Sequence, residues 1–170
     1  MRQSMKQDLS WRAQGVRLPR YTRSYGFGAA TGIVTLDGIR PAEALRPGDR
    51  IVTRDRGAVR LAGIQRLETD PDRMVEITPA AMSGKNDAWP FQVAENQQVL
   101  VTGWRARVLF NRSHILVPAK RLIDGEFFAR PRPGLPVRLL QLLFDDGDHL
   151  VQSACGLWFP SRNRQPEPAR

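Results

Sequence analysis

The chain has 170 residues, of which 41% are hydrophobic and 25% charged, a composition typical of one globular domain with a core of its own. Its formal net charge is +9, and charged residues interrupt every apolar stretch well before the roughly 18 residues that a membrane-spanning helix needs. We therefore expect no membrane segment, and the positive charge raises the question of an anionic partner.

The first 24 residues form a basic segment with a net charge of +5. They lack the uninterrupted apolar stretch of a secretory signal, so we expect a cytoplasmic protein. The stretch 160–170 carries +2, whereas the much longer stretch 25–159 carries only +2. Both ends are rich in Gln, Ser and Pro, which cannot bury enough apolar surface to fold alone. We expect a flexible N-terminal arm over 1–24, one domain over 25–162 and a disordered tail over 163–170.

The first half of the domain is typical of short strands separated by turns. "TGIVT" is rich in β-branched residues, and the Asp-Gly pair at 37–38 predicts a tight turn after it. "RPAEALRPGD" predicts at most one helical turn, with the Pro-Gly pair at 47–48 in a type II turn. "RIVTRD", "RGAVRLAGIQRLE" and "MVEIT" predict further strands, and the Ala-Gly pair at 62–63 indicates a bulge and a bend in the second of them.

The second half repeats this pattern. "FQVA", "QVLVTG", "RARVLF" and "HILVPA" alternate apolar and polar residues, so we expect four more strands, with Gly103 between two of them. "PAKRLIDG" predicts one short helix that starts near Pro118 and ends at Gly125. "VRLLQLLFDD" and "HLVQSACGLWF" predict two closing strands joined by a turn at Gly147. Many short strands without long helices between them indicate an all-β single domain.

Three parts of the chain carry a family pattern: "ATGIVTLDGIRPAEALRPGDRIVTRD", then "VAENQQVLVTG", then "HILVPAKRLIDG" with "LLFDDGDHLVQSACGLWFPS". In this order they resemble the bacterial form of the Hint (Hedgehog/intein) domain, the autoprocessing module of inteins and Hedgehog proteins. The resemblance covers residues 25–162. It implies a horseshoe-shaped, all-β disc of two pseudo-two-fold halves with at most short helical turns. It also implies a protein that cuts or splices its own backbone.

The resemblance aligns Gly26 with the residue that starts this chemistry. In the family, a cysteine or serine there attacks the preceding peptide bond, which requires a side-chain sulfur or oxygen. In "GFGAAT", Phe27 and Thr31 match the family's Cys-Phe-x-x-Gly-Thr, while Gly26 and Ala30 replace its cysteine and glycine. Gly26 offers no nucleophile. Ser24 is the candidate substitute upstream, because residues two apart in a strand share a face.

A second family position, the histidine of Thr-x-x-His, is also replaced. Ala94 and Gln97 stand where the family has threonine and histidine. A histidine can transfer protons in both directions near neutral pH, whereas a glutamine side chain only hydrogen-bonds. With both the nucleophile and this histidine missing, the sequence predicts that self-cleavage has been lost.

Two further residues remain as candidates. His149 aligns with the histidine of the family's closing hairpin and has three aspartates within four residues, so it is either an acid/base group or a solvated turn histidine. Cys155 is the single cysteine, which excludes an internal disulfide, and its apolar neighbours favour a buried small residue over a reactive thiol. No metal-ligand spacing is present, and we expect neither a metal nor another cofactor.

Three functional hypotheses follow. The first is a degenerate Hint-like domain that serves as a structural or interaction module, binding a protein or peptide in its vestigial active-site groove. The second is an autoprocessing domain that uses a non-standard nucleophile such as Ser24 or Cys155. The third is a nucleic-acid-binding protein whose basic ends hold phosphates without sequence specificity.

Overall fold

The computed structural model describes residues 25–79 and 89–162. In these two ranges the chain forms fourteen short strands, one α-helix and three turns of 3-10 helix, which confirms the all-β prediction. The strands and the helix are β1 Phe27–Gly28, β2 Gly32–Thr35, β3 Gly38–Pro41, β4 Arg50–Thr53, β5 Gly57–Arg60, β6 Gly63–Thr69, β7 Met74–Ile77, β8 Phe91–Ala94, β9 Gln98–Thr102, α1 Gly103–Phe110, β10 His114–Pro118, β11 Phe128–Ala129, β12 Val137–Leu143, β13 Leu150–Gln152 and β14 Trp158–Pro160. The 3-10 turns are Ala42–Ala44, Pro71–Arg73 and Ala119–Leu122.

The described strands form two six-stranded sheets and one two-stranded ribbon. The first sheet has the order β11-β7-β8-β1-β12-β6, and the second has the order β14-β13-β4-β2-β3 with β5 paired to β4. The ribbon consists of β9 and β10, and all of these pairs are antiparallel. The short strand β1 lies between β8 and β12, with Phe27 opposite Val93 and Leu140. Its position in the interior of the first sheet determines the surroundings of Gly26.

The core lies between the two sheets and is anchored by aromatic rings. Phe27 of β1 meets Phe159 of β14 edge-to-face at 5.5 Å between ring centroids, and Phe91 of β8 meets Phe159 at 6.2 Å. Phe27 and Phe159 are buried almost completely. Burying one such side chain contributes about 1.5–3 kcal/mol, and an aromatic pair adds about 0.5–1.5 kcal/mol. These contacts join the first sheet to the second.

The predicted turns at 37–38 and 47–48 are confirmed. Thr35 and Gly38 are paired across the first turn, and the Thr35 hydroxyl donates to the Gly38 carbonyl at 2.7 Å. In the second turn, the Asp49 N–H donates to the Arg46 carbonyl at 3.1 Å, and Gly48 has a φ of +98°. A positive φ at the third position of the turn is the mark of type II geometry, which glycine adopts without steric cost.

The prediction of a strand in "RARVLF" is wrong, because residues 103–110 form α1. Gly103 leaves the β9 conformation with a φ of +69°, and Asn111 ends the helix in the left-handed region with a φ of +52°. The Asn111 N–H donates to the Arg107 carbonyl at 3.0 Å, which closes the last turn. The helix connects β9 to β10. Because these two strands pair directly with each other, the segment between them does not join a sheet.

Two other predicted elements are divided more finely than expected. The stretch 56–68, predicted as one bent strand, corresponds to β5 in the second sheet and β6 in the first, with the change of sheet at residues 61–62. The Leu61 N–H donates to the Asp49 carbonyl and the Ala62 N–H to the Leu143 carbonyl, each at 2.8 Å. The stretch 149–159, predicted as one strand, forms the hairpin of β13 and β14. The short helix predicted at 118–125 is a 3-10 turn over Ala119–Leu122.

Candidate functional site

The peptide bond between Tyr25 and Gly26 is held at both of its polar atoms by glutamine side chains. Its N–H, on Gly26, donates to Oε1 of Gln97 at 2.8 Å, in a contact that is buried. Its carbonyl oxygen, on Tyr25, accepts from Nε2 of Gln141 at 2.9 Å. We refer to Gln97, Gln141 and this peptide bond as the amide clamp. It lies where the sequence pattern places the start of the family's chemistry.

Gln97 uses the whole hydrogen-bonding capacity of its side-chain nitrogen inside the protein. Its Nε2 donates to the Pro160 carbonyl at 2.9 Å and to the Gln98 carbonyl at 3.1 Å, while its Oε1 receives the Gly26 N–H. The residue is completely buried. An amide side chain has two donor hydrogens and an acceptor oxygen, so it can satisfy all three backbone groups at once. Gln97 therefore ties the residue before β1 to the last strand, β14.

The backbone at Gly26 excludes a larger residue. Its φ is +128°, a conformation that L-residues with a Cβ rarely adopt. A Cβ built there would lie 2.8 Å from the Leu140 carbonyl oxygen and 3.1 Å from two side-chain carbons of Leu139. The carbonyl of Gly26 accepts from the Ala94 N–H at 3.0 Å, which fixes the other side of the residue. Position 26 lacks a nucleophile and also lacks the space for one.

Thr31 and Ala94 form hydrogen bonds close to the amide clamp. Thr31 is completely buried, and its hydroxyl donates to the Gln92 carbonyl at 3.2 Å. Its N–H donates to the Gly28 carbonyl at 3.1 Å, so it closes the turn that follows β1. Ala94 contributes backbone groups, since its N–H bonds Gly26 and its carbonyl accepts from the Gln97 N–H at 2.9 Å. Both residues position the chain around the amide clamp.

His149 lies in a separate cluster with two carboxylates, which we call the histidine–aspartate cluster. Its Nδ1 lies 2.7 Å from Oδ2 of Asp55 and its Nε2 lies 2.7 Å from Oδ1 of Asp146. The ring meets Phe144 edge-to-face at 5.1 Å, and only 4% of the side chain is exposed. A doubly protonated ring donates to both carboxylates, whereas a neutral ring donates to one. Because both nitrogens are occupied, His149 is a buried cross-link and not a solvated turn residue.

The two carboxylates of this cluster have lowered pKa values. Burial acts most strongly on the pKa of Asp55 and raises it, but hydrogen bonds from the Leu150 N–H and from His149 outweigh burial and hold it below the ordinary value of 3.8. The hydrogen bond from His149 is the main reason that the pKa of Asp146 also lies below 3.8. Both groups are therefore ionised over the whole neutral range.

Cys155 is partly buried, in the turn that joins β13 to β14. Its sulfur lies 3.1 Å from the Ser153 hydroxyl, and the side chain packs against the main core. The sequence predicted a buried small residue, and Cys155 is buried in part. Ser24, the basic arm and the tail over 163–170 lie outside the described residues.

Of the residues named from sequence, the structure thus joins Gly26, Ala94 and Gln97 by direct hydrogen bonds and places Thr31 in the turn that follows β1. His149 and Cys155 bond to other partners. Gln141 was not identified from the sequence, although a polar residue inside the apolar run "VRLLQLLF" was a usable signal.

The described ranges, 25–79 and 89–162, show neither a metal-binding cluster nor a membrane-spanning helix. No cluster of three or more His, Cys, Asp or Glu side chains there is arranged to hold a metal ion. In the same part of the chain, no helix has the length and apolar character needed to cross a bilayer.

Comparison with known proteins identifies one family and several solved structures with a similar fold. A family model described as the Hint domain matches residues 25–162. Among solved structures, a bacterial intein-like domain from Clostridium thermocellum is 15% identical with a TM-score of 0.55, and the alignment covers 79% of this chain and 96% of that one. The gp41-1 intein is 10% identical with a TM-score of 0.45, covering 79% and 97%. The MchDnaB-1 intein is 10% identical with a TM-score of 0.45, covering 78% and 98%. No curated protein matches the chain.

Proposed function

Because this chain belongs to the Hint domain family and has its all-β fold, we propose that it is a Hint domain that has lost self-cleavage and acts as a structural or interaction module. The observation that carries the proposal is the state of the Tyr25–Gly26 peptide bond. Its N–H and carbonyl are both held by glutamines, and Gly26 is locked in a conformation reserved for glycine.

The first step of family chemistry has no attacking atom here. A side-chain sulfur or oxygen on residue 26 would have to form a bond to the Tyr25 carbonyl carbon. Glycine has no such atom. Gln141 still donates to the Tyr25 carbonyl oxygen, as a group that stabilises an oxyanion does, but without an attacking atom this bond stabilises only the intact peptide. In sites whose parts act as a unit, removing the nucleophile costs on the order of a millionfold in rate.

The proton that cleavage requires is also missing. When a peptide bond breaks, its nitrogen leaves as an amine and must receive a proton. Gln97 presents its acceptor oxygen to the Gly26 N–H, so the side chain nearest that nitrogen takes a hydrogen bond from it and cannot protonate it. The donor hydrogens of Gln97 point to the Gln98 and Pro160 carbonyls instead. This arrangement of hydrogen bonds supports the proposal that the bond is preserved.

Intact-mass measurement of the purified full chain tests the proposal. After prolonged incubation with and without added thiol or hydroxylamine, we expect one species at the full mass of 19.2 kDa. A fragment pair that meets at Tyr25–Gly26 would contradict the proposal. Fragments formed elsewhere would support a non-standard nucleophile, and parallel incubation of Ser24→Ala and Cys155→Ala variants would identify it.

A further inference from the structure

Strand β9, helix α1, the segment 121–128 and Leu157 line an apolar groove. Its volume is about 690 Å³, within the range of sites that hold ligands or partner side chains. Large apolar side chains that line it include Leu100, Trp104, Leu109, Phe110, Ile123 and Phe127. We call this feature the α1 groove. It is lined by none of the residues of the amide clamp.

The apolar surface continues beyond the groove onto the outer face of α1. Trp104 is 69% exposed and Leu109 is 64% exposed, although both line the groove, and neighbouring Val108 is 72% exposed. In the whole of α1, Ala106 is the one buried residue. Exposed large apolar side chains that adjoin a groove mark an interaction surface rather than a closed ligand cavity. The occupant must therefore extend past the groove.

Positive charges outnumber negative ones, five against two, in the stretch 98–128 that supplies most of the groove lining. Residues 98–123 contain Arg105, Arg107, Arg112, Lys120 and Arg121 and no Asp or Glu. Among the residues that the structure describes, none of these five forms an ion pair. Arg105 and Arg121 line the groove itself. These cations are available to an anionic partner, and Arg in particular binds carboxylates in a bidentate way.

Asp124 is the single acidic residue in the groove lining. Its carboxylate is hydrogen-bonded to the backbone of the turn that follows it. Its Oδ1 accepts from the N–H groups of Glu126, Phe127 and Phe128 at 2.8–3.0 Å. Burial alone would raise the pKa of Asp124, but these three backbone bonds outweigh it and lower the pKa below 3.8. Asp124 therefore stays ionised and contributes one negative charge to the groove lining, against the two positive charges of Arg105 and Arg121.

We propose that the α1 groove binds an acidic amphipathic segment of a partner protein, with apolar side chains in the groove and carboxylates against the arginines. This inference rests on the proposed interaction role and identifies the surface that would bind the partner. A concave apolar groove fits anchoring side chains of a peptide better than the flat surface of a membrane. A second copy of this chain would place arginines against arginines, and the arm over 1–24 carries +5, so both are disfavoured by charge.

Selection from a random-peptide display library on the full chain tests the proposal. We expect enrichment of peptides that combine Leu, Phe or Trp with Asp or Glu. One selected peptide is synthesised, and its affinity for the chain is measured by fluorescence polarisation. This affinity should fall about tenfold in the Leu109→Ala and Arg121→Glu variants, as it does when anchor residues of an interface are changed. Leu135→Ala and Arg60→Glu change residues of the same types that are exposed and do not line the groove, so they should bind as the unchanged chain does.

Four results would overturn the proposal. They are no enrichment, enriched peptides without acidic residues, binding that Leu109→Ala and Arg121→Glu leave intact, and displacement of the peptide by vesicles of phosphatidylglycerol and phosphatidylcholine. Circular dichroism of each variant checks that it is folded. Loss of self-cleavage is tested separately by intact mass, so an intact chain that selects no acidic peptide would remove the groove proposal and leave the loss of cleavage standing.

Discussion

The backbone at Gly26 has a φ of +128°, and the space that a Cβ would need is occupied by the Leu140 carbonyl and the Leu139 side chain. A cysteine side chain therefore has no room at this position in the observed backbone conformation. The cysteine would have to displace a strand backbone in the middle of the first sheet. The glycine at position 26 and its backbone conformation therefore depend on each other.

We expect Gly26→Cys to destabilise the fold and to produce no cleavage. The strained backbone and the close contact together should cost about 2–4 kcal/mol in the free energy of unfolding. Urea denaturation measures this cost, and intact mass measures cleavage. Gly134→Cys is the matched control, because Gly134 has open space around its Cβ position and an ordinary φ.

An intermediate variant separates the two causes. Gly147 has a φ of +126°, close to that of Gly26, but nothing within 4 Å of its Cβ position, so Gly147→Cys tests the backbone cost alone. It should cost about 1–3 kcal/mol, less than Gly26→Cys and more than Gly134→Cys. Equal stability of Gly26→Cys and Gly134→Cys would show that the packing around position 26 adapts freely.

Gln97→Glu is expected to destabilise the protein in a pH-dependent way. The variant keeps an acceptor for the Gly26 N–H but turns a carboxylate towards the Gln98 and Pro160 carbonyls, which now lack a donor. Leaving these groups unsatisfied should cost about 2–4 kcal/mol at neutral pH. Protonation of the carboxyl restores one donor, so the stability difference from the unchanged chain should shrink as the pH falls.

Thermal unfolding of Gln97→Glu and of the unchanged chain across acidic and neutral pH measures this difference. Gln152→Glu, a half-buried residue of β13, is the control and should show a small, flat difference. A neutral effect of Gln97→Glu at every pH would contradict the role assigned to the amide clamp.

The sequence predicted part of this site. Gly26 lies in one motif and Ala94 and Gln97 in another, 71 residues apart between Gly26 and Gln97, and it is the resemblance to the Hint family that implies their grouping. The polar Gln141 stands out in its apolar run, but its partner, the Tyr25 carbonyl, lies 116 residues away and is a backbone group, so the sequence does not reveal the pairing. The φ of Gly26 is set by tertiary contacts with β12, which the local sequence does not encode.

At the scale of elements, the missed helix has a similar cause. "RARVLF" alternates in the way a strand does, but β9 and β10 pair directly with each other and leave no partner strand for it. The unpaired segment satisfies its backbone internally as α1. The division of 56–68 between two sheets depends on the Asp49 and Leu143 carbonyls that receive its N–H groups, both of which are distant in sequence.

The histidine–aspartate cluster predicts acid sensitivity of the elements it joins. His149 connects the β4–β5 turn at Asp55 to the loop before β13 at Asp146. Because the pKa values of both aspartates are lowered in the folded state, their contribution is present above the ordinary value of 3.8 and is lost as the pH falls below it. Both side chains are a third or more exposed, so solvent screening keeps the contribution small.

Asp55→Asn should therefore lower stability at neutral pH by about 1 kcal/mol and reduce the loss of stability below pH 3.8. Urea unfolding at a series of acidic pH values measures both effects. Asp145→Asn changes an exposed neighbour and should keep the steeper acid dependence of the unchanged chain. The same acid dependence in Asp55→Asn and the unchanged chain would show that the cluster does not contribute.

At the scale of the whole molecule, burial is distributed unevenly. The first sheet has β1 and β12 in its interior, where Leu139, Leu140 and Leu142 are buried almost completely. The ribbon β9–β10 has two strands, and α1 beside it exposes most of its apolar side chains. Regions with few buried contacts open locally at a lower free energy than the central strands. The α1 groove therefore belongs to the less stable part of the fold.

Native-state hydrogen exchange followed by mass spectrometry should resolve these two parts. We expect the amides of β12 to exchange through global unfolding, with a strong dependence on denaturant, and those of α1 and the start of β10 to exchange faster with a weak dependence. Two buried large-to-small variants sharpen the test. Val117→Ala in β10 should speed exchange in the ribbon and α1 alone, whereas Leu142→Ala in β12, at a cost of about 2–5 kcal/mol, should speed it throughout. If Val117→Ala accelerates exchange equally in β12, the ribbon and the sheets unfold as one cooperative unit. The prediction that the groove opens separately would then be wrong.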